Sequence, residues 1–128
     1  RAFTFNEATR QWDQLGQDLD GEATDDRFGI AVSLSADGQI LAFGGALNDG
    51  NRSDAGHVRV YKLDDVTLQW DQLGQDIYGE SYNDFYGFSV SLLADGQTLA
   101  ASAAVSLGVG IKISAGGVRV FKWNVATQ

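Results

Sequence analysis

Gln11-Trp12-Asp13-Gln14-Leu15-Gly16-Gln17-Asp18 returns letter for letter as Gln69-Trp70-Asp71-Gln72-Leu73-Gly74-Gln75-Asp76, an offset of 69 − 11 = 58 residues. The likeness continues beyond the octamer. Gly21-Glu22 recurs as Gly79-Glu80, Gly29 as Gly87, Val32-Ser33-Leu34 as Val90-Ser91-Leu92, and Ala36-Asp37-Gly38-Gln39 as Ala94-Asp95-Gly96-Gln97. A fixed period of this length marks stacked supersecondary units, such as propeller blades or solenoid coils. Each unit is too small to bury its own apolar surface and must close it against a neighbour.

Within the unit, Phe28-Gly29-Ile30-Ala31-Val32-Ser33-Leu34 alternates, with Phe28, Ile30, Val32 and Leu34 on one face and Gly29, Ala31 and Ser33 on the other. Its second copy sets Tyr86, Phe88, Val90 and Leu92 against Gly87, Ser89 and Ser91. A sheet wet on one side would carry charged or long polar residues there. A face of glycine, alanine and serine instead predicts a close neighbour, bulky side chains of one sheet lying on the small face of the next. Asp37-Gly38 and Asp95-Gly96 predict tight hairpins of type I′, returning strands at 40–44 and 98–101. The long loop 46–55 follows, and its counterpart 104–115 is two residues longer. No sustained 3.6-residue period predicts a helix.

Arg1-Ala2-Phe3 aligns with Arg59-Val60-Tyr61 and Arg119-Val120-Phe121, giving three copies of one strand against two of the others. The expected fold class is therefore all-β, built of four-stranded antiparallel β-propeller blades of about 58 residues and forming a fragment of a larger propeller or repeat array. Residues 1–15 supply the last two strands of a preceding blade. Residues 16–73 form a complete blade, and 74–128 a second that lacks its last strand.

The chain has 128 residues, net charge −8, and neither cysteine nor methionine. Its acidity argues against nucleic acid and anionic membrane surfaces, which demand clustered Lys and Arg. No apolar run approaches the roughly 18 residues of a membrane span, so membrane insertion is not expected. Absent cysteine excludes disulfides, thiolate metal sites and thiol nucleophiles.

Several stretches resemble the repeat of FG-GAP-like, integrin-α-type β-propeller proteins. They are Trp70 through Glu80, Phe28 through Gly38, Asn48-Asp49-Gly50-Asn51, and Gly56-His57-Val58-Arg59-Val60-Tyr61. The resemblance implies an extracellular or cell-surface protein of secreted bacterial or algal type. The family's calcium loop does not carry over, because its place holds only Ala36-Asp37-Gly38-Gln39, too short to supply six or more oxygens.

Candidate chemistry is sparse. Asp18, Asp20, Glu22, Asp25 and Asp26 crowd one loop and could take Ca²⁺, the one cofactor considered; solvated carboxylates capping turn amides are the favoured reading, since the second copy replaces Asp20 by Tyr78 and Asp25 by Asn83. Asn51-Arg52-Ser53 is an N-glycosylation triplet. Trp12 and Trp70 could stack on sugar rings, though their repeated position favours anchors between blades. Tyr78, Tyr82 and Phe85 replace Asp20, Thr24 and Arg27, which makes them the first choice for a private contact surface. His57 is the only histidine and no nucleophile elbow accompanies it. The expected function is a non-enzymatic structural or adhesive module. Its partners would be other blades of the same protein, identical subunits, proteins or glycans. A lectin-like sugar-binding propeller is the alternative, and a hydrolase on this scaffold a distant third.

Overall fold

In a computed structural model, residues 1–49, 55–81, 83–103 and 116–124 are described; they form ten β-strands and no helix. The strands are β1 Ala2–Asn6, β2 Gln11–Leu15, β3 Phe28–Leu34, β4 Ile40–Gly45, β5 His57–Leu63, β6 Trp70–Gln72, β7 Ile77–Tyr78, β8 Ser89–Leu92, β9 Thr98–Ala103 and β10 Gly117–Lys122. They build three antiparallel sheets in succession: β1-β2, then β3-β4-β5-β6 with β7 also pairing β5, then β8-β9-β10. The strand β7 lies beyond Leu73, where the sequence closes the middle unit, and yet it pairs back through His57↔Tyr78 and Val58↔Ile77.

Registers sort the side chains by size. In the middle sheet Leu34, Leu41 and Tyr61 stand in one row, Val32, Phe43 and Arg59 in the next, and Leu63 pairs with Trp70. The opposite face carries Ala31, Ser33, Ala42, Gly44, Val58 and Val60. This small face receives the large face of the third sheet. Ala42 and Val58 are buried with Leu99, Ala101 and Tyr86, and Val90, Leu92 and Phe121 pack around them. The large face of the middle sheet meets Ala2, Leu15 and Leu19, closing a second cluster of Leu41, Phe43, Leu63 and Trp70. Bulky-on-small stacking thus occurs between the middle and third sheets; at the first junction the large face meets Ala2 together with two leucines, and Val32 and Leu34 stay 64% and 52% exposed. Burial on each side of one sheet supplies the main stabilising term of a small repeat.

Two local expectations are corrected. The alternation of β3 is interrupted, because the register jumps between Phe28↔Gly45 and Ala31↔Gly44. Gly29 (φ +83°) and Ile30 are looped out there, and Ile30 N–H donates to Arg27 C=O at 3.1 Å. Gly29 is consequently exposed and does not belong to the packed small face, whereas Ala31 and Ser33 are half-buried on it. Secondly, the Asp-Gly hairpins are not type I′, which needs positive φ at both central residues. Only the glycines have it, Gly38 at +72° and Gly96 at +69°. The connection is five residues long; Gly38 N–H donates to Ser35 C=O at 3.0 Å, and Asp37 Oδ1 accepts from Ser35 Oγ at 2.6 Å and Gln39 N–H at 3.0 Å. The aspartate rigidifies the turn through its side chain, leaving the left-handed residue to glycine alone.

Candidate functional site

Loop chemistry repeats as faithfully as the strands. Arg59, on the large face of β5, donates Nε–H to Asp76 Oδ1 at 2.7 Å and Nη2–H to Asp76 Oδ2 at 2.6 Å, and it also holds Glu22. Gln72 Nε2 adds a bond to Asp76 Oδ1 at 2.6 Å, and the Tyr78 hydroxyl one to Oδ2 at 3.1 Å. The preceding unit repeats this core: Arg1 Nε lies 3.0 Å from Asp18 Oδ1, and Gln14 Nε2 donates to the same oxygen at 2.7 Å. Arg119 reaches Tyr78 C=O at 2.6 Å and Glu80 at 3.5 Å. The octamer's last aspartate is therefore the seat of an arginine fork, and its Gln14 or Gln72 the brace. The fork holds the Asp76 carboxyl down at about 2. Sequence reading aligned these arginines without seeing their role, although their coincidence with the aspartates at the same period was the available signal.

The acidic loop divides accordingly. Asp18 and Glu22 are engaged by arginines. Asp26 is buried; its Oδ2 accepts from Ala23 N–H at 3.1 Å and Asn48 Nδ2 at 3.0 Å. Asp84, 58 residues on, accepts from Glu80 and Ser81 N–H at 2.9 and 2.8 Å. These are turn caps. Asp20 and Asp25 are exposed. Among the described residues no group of three or more His, Cys, Asp or Glu is placed to hold a metal ion.

The identical tryptophans part company. Trp70 is 2% exposed, its indole N–H donates to Leu15 C=O at 2.9 Å, and its ring occupies the space a Cβ on Gly16 would need. Gln17 clamps the same residue, Nε2 donating to Trp70 C=O and Oε1 accepting from Trp70 N–H, both at 2.8 Å. Trp12 is 67% exposed and touches Phe5 edge-on at 5.3 Å. Only Trp12 could stack on an external ring.

The proposed aromatic surface is largely absorbed into the fold. Tyr78 is half-buried beside His57, and Phe85 is half-buried in a turn at φ +49°. Tyr86 is buried under Arg119, whose guanidinium carbon lies 4.1 Å from the ring centroid. Tyr82 and the sequon residue Asn51 lie outside the described residues. His57 is fully buried between Phe28 and Tyr78, and neither ring nitrogen has a hydrogen-bond partner among the described residues. Burial, reinforced by Arg59, pushes its pKa down, against the pull of Asp76, Glu22 and Asp26. It is a neutral core residue rather than a strand-edge one. Open recesses include one of about 470 Å³ between β1 and the large face of β3-β4, and one of about 110 Å³ at the rim where Gly74 faces Trp123.

Comparison with protein-family models and with curated proteins gave no match.

Proposed function

We propose that this chain is a section of a β-propeller or a closely similar array of four-stranded blades, acting as a non-enzymatic structural and adhesive module at the cell surface or outside the cell. The observation that carries the reading is the bulky-on-small stacking of the third sheet on the middle one, which leaves a large-residue face at one end and a small-residue face at the other. One end presents Phe3, Phe5 and Trp12; the other presents the exposed Val118 and Val120 among Ser89, Ser91, Ala100 and Ser102. Such ends suit further units, and closure into a ring removes them. The non-enzymatic part rests on the use of the loop carboxylates and His57 as structural groups. Contact with proteins or glycans would fall to the loops between strands, which a rigid sheet stack holds in place.

The test is direct binding of the purified chain to glycan arrays and to isolated surface proteins, with a loop variant in which only the exposed Asp20 and Asp25 are replaced by serine. Micromolar binding lost in the loop variant is the expected result; binding that survives the replacement, or none to either class, removes the adhesive role. Sugar binding abolished by Trp12→Ala would instead favour the lectin-like alternative, which the exposed indole suits.

A further inference from the structure

We infer that His57 is a pH-sensitive latch for the loop 18–26: neutral, its buried ring lets the loop close over the start of β5, and charged, it drives the loop open. The ring is fully buried, and neither nitrogen has a hydrogen-bond partner among the described residues. Its seat is tight. Phe28 stacks on the ring with centroids 6.1 Å apart, and Tyr78 lies 6.2 Å away. A Cβ on Gly45 would sit 2.9 Å from His57 Cε1 and 3.5 Å from the Asp26 carbonyl oxygen, so strand and loop crowd the ring together.

The loop is held shut by a few polar contacts. Asp26 C=O accepts from Leu47 N–H at 3.2 Å, and its Oδ2 from Ala23 N–H at 3.1 Å and Asn48 Nδ2 at 3.0 Å. Glu22 Oε2 accepts from Asn48 Nδ2 at 3.2 Å, and Glu22 is paired with Arg59. Leu19, in the same loop, packs against the cluster of Leu41, Phe43, Leu63 and Trp70.

The groups that face the imidazole come from three directions. Its own strand supplies Arg59, the segment 76–78 supplies Asp76 and Tyr78, and the loop supplies Glu22 and Asp26. The strands β3 and β4 contribute only Phe28 and Gly45. Every one of these carboxylates is already engaged: Asp76 by Arg59, Gln72 and Tyr78, Glu22 by Arg59 and Asn48, Asp26 by Ala23 and Asn48. An imidazolium donates at both ring nitrogens, and a buried charge without partners is costly. A proton on His57 must therefore be met by water, which requires lifting the loop, or by a carboxylate withdrawn from the contacts that hold the loop. Either route breaks the closure. Burial, reinforced by Arg59, makes the closed form the weaker proton acceptor. Opening consequently grows as pH falls below about 6.5, by up to about tenfold per pH unit for one proton taken up.

The third sheet repeats the arrangement without the switch. Gly117 stands at the repeat position of His57, while Asp84 caps Glu80 and Ser81 N–H at 2.9 and 2.8 Å, as Asp26 caps Ala23. The loop 76–84 is thus an internal control, and the latch is independent of any partner the loops bind.

Hydrogen exchange at pH 7.5 and 5.5, corrected for the intrinsic pH dependence of amide exchange, tests it on the chain and on His57→Phe, with His57→Gln as a second variant that is neutral at both pH values. Protection of segments 19–26 and 45–48 is expected to fall about tenfold on acidification, while segment 79–84 keeps its own. Both variants should abolish the difference. His57 is the only histidine, so NMR follows its ring directly, and it should titrate below 6.5. An equal fall in both loops, no fall in either, a fall that persists in the variants, or an imidazole titrating at or above 6.5 overturns the latch.

Discussion

At the scale of single residues, the Arg59–Asp76 fork is sensitive to substitution. Asp76 is only 14% exposed in its side chain, and Arg59 13%, so each would be left poorly solvated without the other. Arg59→Ala is expected to cost about 2–3 kcal/mol in urea unfolding, and Arg59→Lys to recover less than half, because an ammonium cannot make the fork. The pH dependence follows from Asp76, whose carboxyl sits at about 2 folded against about 3.9 unfolded. Its contribution of about 2 kcal/mol is complete above about pH 5 and is lost as pH falls towards 2. Asp76→Asn should flatten that acid limb. His57 acts at a higher window. Its folded pKa is lowered, so the unfolded chain binds the proton more readily, and stability falls as pH drops below about 6.5. His57→Phe keeps a ring between Phe28 and Tyr78 and removes two unsatisfied nitrogens; it should leave stability unchanged or raised by about 1 kcal/mol, with no remaining slope between pH 7 and 5.

At the scale of elements, the turn ahead of each inner strand shows how one backbone serves two surroundings. Gly29 and Gly87 share nearly the same φ, +83° and +88°. Gly87 is wedged against the middle sheet, and a Cβ on Gly44 would overlap its carbonyl oxygen, whereas a Cβ on Gly29 meets nothing within 4 Å. Gly29→Ala should therefore cost only the left-handed strain, about 1–2 kcal/mol. Gly44→Ala must push the third sheet away from the middle one and should cost more than 3 kcal/mol, detectable as loss of a cooperative thermal transition. The alternation legible in β3 and β8 separated the large and small faces correctly from Ala31 to Leu34, but of the two faces of β3 only the small one, Ala31 and Ser33, is covered there, Val32 and Leu34 remaining exposed. It failed at Gly29 and Ile30 because period-2 reading assumes an unbroken ladder, and a bulge shifts the phase without changing the letters.

At the scale of the whole molecule, stability is carried by contacts between consecutive sheets. Trp70→Ala opens a cavity in the first junction and removes a hydrogen bond, so a loss of about 3–5 kcal/mol is expected. Trp12→Ala, in the same octamer, should change the monomer by less than about 0.5 kcal/mol; calorimetry on dilute protein measures both. The carboxylates of Asp18, Glu22 and Asp26 are held by arginines and by turn amides, so chelator should leave the melting temperature where it was. A rise on adding Ca²⁺ would contradict that assignment of their oxygens.

The repeat, most strand positions, the turn glycines and the large-and-small division of each sheet were determined by the sequence alone, since they follow from periodicity and backbone preference along a few residues; β7 was not, because it forms only where the chain returns to β5. Which copies are buried was decided only by the tertiary structure. Trp12 and Trp70 stand in identical octamers, yet one faces outward and the other is sealed beneath Leu15 and Gln17. The arginine forks were hidden for the same reason, because Arg59 and Asp76 are 17 positions apart and only the return of the chain through β6 and β7 brings them together. Burial and ion pairing belong to neighbours in space, and a repeated sequence does not repeat its neighbours at the ends of a stack.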